Sequence, residues 1–121
     1  MSTSIAIAAL QAHFNPFEHE VWGIPVLEAD VQTALEQGRL AEQPGGADHA
    51  ARIAYLVQNP NAEPIAIDVG CPSFGCCVAW PIMDGNHRLA AAIFRQDETI
   101  LAEVSGEVAC AKHLFGAHCV I

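Results

Sequence analysis

Positive charge is what this chain has least of. Its 121 residues include five Lys and Arg against fourteen Asp and Glu, a formal net charge of −9. Nonspecific nucleic-acid binding rests on cations that neutralise phosphates, so this balance disfavours it. A single anion pocket of backbone donors and one or two cations stays open. No apolar run approaches the roughly 20 residues of a membrane-spanning helix, and no membrane partner is expected. The opening Met1-Ser2-Thr3-Ser4-Ile5 lacks a positive stretch, so no secretory leader is expected either. The cysteines are five, an odd number without the spacing of a secreted scaffold. A reduced, cytoplasmic protein is the expectation. There is no internal repeat, linker or low-complexity run.

What is present is enough apolar material for a core. Hydrophobic residues make up 52% of the chain, which at this length implies one domain. Residues 4–14 read as a short helix capped by Ser4 or as a strand at Ile5-Ala6-Ile7, and periodicity does not decide so short a run. Asn15-Pro16 breaks the segment. Phe17 to Val26 reads as extended or loop. Leu27 to Gln37 has a helical apolar stripe, with Gly38 as its stop, and Ala41 to Gly46 is a polar loop. Asp48 is placed to cap a helix whose buried stripe is Ala50, Ile53, Ala54, Leu56 and Val57, ending at Asn59-Pro60. Pro64 to Val69 is a strand. Gly70 to Gly75 is a hairpin-type loop into a strand Cys76 to Ile82. Gln96-Asp97-Glu98 turns into a strand Thr99 to Val104, and Glu107 to Phe115 is a final helix.

The most informative stretch is Pro81 to Arg95. A strand turns at Asp84-Gly85 and continues as a helix with Leu89, Ala92, Ile93 and Phe94 on one face. A helix start of this kind leaves backbone N–H groups without partners, and together with the helix dipole they favour an anion. His87 and Arg88 fall in the first turn, where cations are unfavourable unless an anion is near. Gly85, Asn86, His87 and Arg88 therefore read as a phosphate or carboxylate receptor. Asp84 either orients a substrate hydroxyl or Mg²⁺, or caps the helix. Arg88 either forks onto phosphate or pairs with a carboxylate. His87 is either a donor and proton-transfer group or a structural histidine. Gly85 serves a backbone conformation and a close approach by ligand.

Pro64-Ile65-Ala66-Ile67-Asp68-Val69, then Asp84-Gly85-Asn86-His87-Arg88-Leu89-Ala90-Ala91-Ala92, then Ile100-Leu101-Ala102-Glu103-Val104 resembles the ParB/sulfiredoxin superfamily over roughly residues 47–106. It is similar to the branch with an Asp-Gly-x-His-Arg signature. The resemblance implies an α+β fold: a small mixed, partly barrel-like sheet with surrounding helices. The layout expected is a helical extension over 1–46, the core over 47–106 and a C-terminal helix over 107–121. Sulfiredoxins carry a cysteine directly before the His-Arg pair. Asn86 stands there, so sulfinic-acid reductase chemistry is not implied. Partitioning ParB proteins bind CTP through a Gly-Glu-Arg-Arg turn and carry a further DNA-binding domain, for which this chain lacks room. The branch with this signature includes nucleotide-dependent kinases of free serine and proteins labelled ParB-like nucleases.

The leading expectation is thus a nucleotide- or phosphate-binding protein, an NTP hydrolase or phosphotransferase. Asp84 and His87 are its catalytic candidates, Gly85 to Arg88 its phosphate cradle, and ATP, ADP or CTP with Mg²⁺ its cofactor. Glu18, Glu20 and Glu63 are candidate bases. A small acidic protein-interaction module or inhibitor with a vestigial site is the alternative, and a nuclease ranks third. Cys110, His113, His118 and Cys119 offer a zinc set without standard finger spacing, while Cys71 with Cys76 or Cys77 offers a redox pair. The better reading of these cysteines is as small buried hydrophobes. Trp22 and Trp80 read as core, with base stacking as the other role for Trp22. His13 and His19 read as surface or core-edge residues.

Overall fold

The structure, a computed structural model, describes residues 2–71, 74–75 and 79–106. Its elements are β1 (Ser2–Ala6), α1 (Ile7–Phe14), α2 (Glu28–Glu36), α3 (His49–Gln58), β2 (Ile65–Asp68), β3 (Ile82–Asp84), α4 (Asn86–Arg95) and β4 (Thr99–Ser105). The strands form one mixed sheet in the order β1-β4-β2-β3. β4 runs parallel to β2 and antiparallel to β1, while β2 and β3 are antiparallel. This is a mixed α+β architecture. Among the described residues the sheet is open, with β1 and β3 at its two edges, and is not a closed barrel.

Alternation along the strands determines which face is buried. Ile5, Ile65, Ile67, Ile82 and Ala102 are almost fully buried, whereas Ser2, Ser4, Leu101 and Glu103 are exposed. The core therefore lies on one side of the sheet. It takes Leu10 from α1, Val31 and Ala34 from α2, Ile53 and Ala54 from α3, and Leu89 to Ile93 from α4. The alanines of α3 and α4 are small enough to let these two helices approach closely. Arg95 fastens their far ends, donating from Nη1 to the carbonyl of Leu56 at 2.8 Å.

The caps follow from single residues. Asp48 accepts from the N–H of Ala51 at 3.1 Å and so starts α3, as its position in the sequence implies. Asp30 starts α2 by accepting from the N–H of Leu27 at 2.9 Å. α4 stops at Gln96, whose φ of 61° lets Asp97 N–H reach the carbonyl of Ala92 at 3.0 Å.

Several expectations need correction. Residues 4–14 are not a choice between strand and helix, because β1 runs straight into α1. The extension 1–46 is therefore not only helical: β1 pairs with β4 across five register positions. Of the strand expected over Cys76 to Ile82, residues 79–81 are not strand, and β3 spans Ile82–Asp84. Its pairing with β2 slips by a residue at Met83, since Ala66 faces Asp84 while Ile67 faces Ile82. That bulge turns the chain before the helix. Residues 76–78 and the helix expected over 107–115 lie outside the described residues.

Gly85 joins β3 to α4 with φ of 98°, and a Cβ on it would lie 2.4 Å from Ile65 Cγ2. Gly85→Ala should therefore destabilise the fold by roughly 2–4 kcal/mol, combining positive-φ strain with an overpacked contact. Urea unfolding of the variant checks this, and a midpoint equal to wild type would refute it.

Candidate functional site

The Asp84–Arg88 turn is built by packing against β2. Gly85 occupies the N-cap of α4, and no side chain caps the helix. Asp84 is therefore not the cap. Its side chain is 80% exposed and meets Arg88 Nη2 at 3.3 Å. Among the described residues the N–H groups of Asn86, His87 and Arg88 have no partner, the first helical bond being Leu89 N–H to the carbonyl of Gly85.

The signature side chains are largely committed inward. Arg88, only 14% exposed, donates from Nη1 to the carbonyls of Glu63 at 2.8 Å and Pro64 at 3.1 Å. These bonds tie α4 to the start of β2, so its fork is occupied by backbone as well as by Asp84. Asn86 accepts from Trp80 Nε1 at 2.8 Å and donates to the carbonyl of Ile82 at 3.2 Å, closing the turn on itself. Trp80 in turn packs on His19 and edge-on against Phe14.

His87 has a partner that sequence order conceals. Its Nε2 lies 3.0 Å from Nδ1 of His49, at the start of α3. The ring centroids are 5.2 Å apart and the planes differ by 15°, so the imidazoles sit edge to edge. Trp22 lies flat across both, 4.7 Å from His87 and 5.1 Å from His49. Trp22 is thus stacked on histidines, at the margin of the core. Burial above all, then the charges of His49 and Arg52, pulls the His87 pKa down to about 4. His87 is therefore neutral at neutral pH, which removes the conflict between a cation and the helix dipole.

In front of the turn is a pocket of about 220 Å³ whose lining includes Arg52, Glu63, Asp84, Gly85, His87 and Arg88. It brings all the signature residues except Asn86 to one wall. Arg52 is an addition from α3, held by the carbonyls of Glu42 at 2.6 Å and Ala41 at 3.3 Å. Of the candidate bases only Glu63 lines this pocket. Glu18 and Glu20 are exposed in the turn after α1. Neither His49 nor Arg52 was among the residues expected at the site. The available signal was weak: His49 follows an N-cap Asp, and Arg52 lies one turn later on the same helix.

Among the described residues no three His, Cys, Asp or Glu converge as a metal set, and no helix is long and apolar enough to cross a membrane. The zinc set Cys110, His113, His118 and Cys119 lies outside the described residues, as do the partners Cys76 and Cys77 considered for Cys71. No family model, curated protein or solved structure matches the chain.

The displaced His87 pKa has a consequence for stability. The unfolded chain protonates this group near 6.5, the folded one near 4. Its contribution is complete above pH 6.5 and declines as pH falls through the window to 4. Denaturant midpoints at both ends of that window should show a shallower pH dependence for His87→Asn than for wild type. Equal slopes would mean that His87 is not held neutral.

Proposed function

We propose that this protein binds a phosphorylated small molecule, in the first instance a nucleotide, with its phosphates at the Gly85–Arg88 end of α4. The observation that carries the reading is a helix N-terminus with three free N–H groups and no side-chain cap, opening on a pocket edged by Arg52 and Arg88. In a chain of net charge −9 such a concentration of donors is out of keeping with the rest of the composition. The ParB-like resemblance of Asp84 to Ala92 belongs to the same proposal.

The pocket's size bears on what would enter it. Complete small-molecule sites enclose roughly 300–1,000 Å³, so about 220 Å³ suits phosphate groups, with the remainder of a nucleotide outside. The carboxylates of Asp84 and Glu63 on the same lining suit Mg²⁺ bridging to phosphate oxygens. Phosphoryl transfer or hydrolysis is the chemistry such an arrangement would serve. Asp84 would orient the metal or an acceptor hydroxyl, and His87 would act as a hydrogen-bond donor to developing negative charge.

Arg88→Ala is a poor test, because it also strips the Glu63 and Pro64 carbonyls of their donor. Backbone amides report directly. Titration of ATP, ADP and CTP, each with and without Mg²⁺, should shift the amide ¹H–¹⁵N signals of Asn86, His87 and Arg88 saturably at up to roughly millimolar ligand. Unmoved signals at these three amides in the folded protein would overturn the reading.

A further inference from the structure

Two imidazole nitrogens in hydrogen-bond contact share one proton between them, so one of the two donates and the other accepts. Here these are His49 Nδ1 and His87 Nε2, 3.0 Å apart. With centroids 5.2 Å apart in nearly one plane, the nitrogens point along the line that joins them. That is the geometry of a shared proton. In a metal chelate both lone pairs would aim at a third point off this line. A second proton on the facing nitrogens would set two N–H donors head to head. A proton on an outer nitrogen, His49 Nε2 or His87 Nδ1, instead keeps the bond and strengthens it with charge. The pair can thus take up one proton without coming apart.

The groups around the pair set the balance. From α3, His49 and Arg52 oppose protonation of His87. Arg88 from α4, Glu63 ahead of β2 and Asp84 at the end of β3 are the other charged groups that share the pocket lining with it. Asp48, which precedes His49, is taken by Arg39. Trp22, from the loop before α2, is uncharged and covers both rings. In the free protein the outcome is a neutral His87. His87 also lines the pocket, and with Nε2 engaged by His49 its remaining ring nitrogen is Nδ1.

We propose that the His49–His87 pair is a proton acceptor coupled to the anion pocket. A dianion arriving beside Gly85–Arg88 is joined by one proton from solvent, which settles on His87 Nδ1 and donates to the anion, while His87 Nε2–H donates to His49 Nδ1. His49 is then a positioning residue that determines which nitrogen of His87 meets the ligand. The inference rests on the phosphate-binding reading of this pocket and adds a regulation to it: ligand affinity rises as pH falls.

Sulfate is the probe, because it stays a dianion across the relevant pH range and releases no proton of its own. Calorimetric titration at about pH 5.5 in two buffers of different ionisation heat counts the protons taken up. The expected result is uptake of about one proton per sulfate, with affinity falling by up to about tenfold per pH unit above it. Nitrogen spectra of the side chains should move His87 Nδ1 into the imidazolium range at saturation. His87→Asn should abolish the uptake and weaken sulfate binding. Sulfate that shifts the amides of Asn86 and Arg88 in wild type with no proton uptake overturns this inference and leaves phosphate binding standing. Sulfate that shifts no amide at this turn removes both. The wild-type measurement decides the matter even where a variant fails to fold.

Discussion

The seating of Gly85 on Ile65 is the contact on which the rest of the site depends. A side chain at residue 85 would collide with Ile65, so glycine alone lets the end of β3 lie against β2 as the chain enters α4. The same closeness lets the Arg88 guanidinium reach the carbonyls of Glu63 and Pro64. Those carbonyls sit where β2 begins, and hydrogen bonds from a charged donor such as Arg88 are among the stronger ones. The β3–α4 junction and the start of β2 therefore hold each other in place. The junction thereby sets the start of α4, at Gly85, His87 and Arg88, on the pocket lining.

The signature residues have divided their work. Asn86 closes the turn through Trp80, and Arg88 secures β2, so neither side chain is free in the way that a motif read as a string suggests. What the first turn of α4 leaves without a partner is backbone N–H, and under the proposed reading such groups would recognise an anion by charge and geometry without selecting its chemical identity. Selectivity would have to come from the surrounding side chains. These are Arg52, the two carboxylates and the Trp22-covered histidine pair, and they come from different parts of the chain.

Local periodicity and turn chemistry made much of the fold legible. Asp48 as a cap, the apolar stripe of α3, the short strand before Val69 and the strand–glycine–helix order at Asp84–Arg95 all depend on neighbours a few residues apart. The misreadings came where that locality ended. Ile5-Ala6-Ile7 was ambiguous because its strand character comes from pairing with β4, nearly a hundred residues later. The extension of the strand before the signature to Asp84 was missed because its pairing and its register shift are set against β2. Asp84 was read as a possible cap, but its side chain is turned instead to Arg88 one helical turn on.

The sequence by itself determined that α4 would begin at a glycine turn with donors exposed, because backbone geometry at such a turn follows from residue type within a few positions. It also determined which face of each helix and strand would be apolar, since burial follows the period of the element. Only the tertiary structure decided what stands beside those donors. The packing of α3 on α4 brings His49 to His87 across 38 positions and sets Arg52 on the pocket lining. The loop before α2 lays Trp22 over both rings. The physical reason is that the state of a titratable side chain depends on its desolvation and on the charges near it, and both are set by packing between elements.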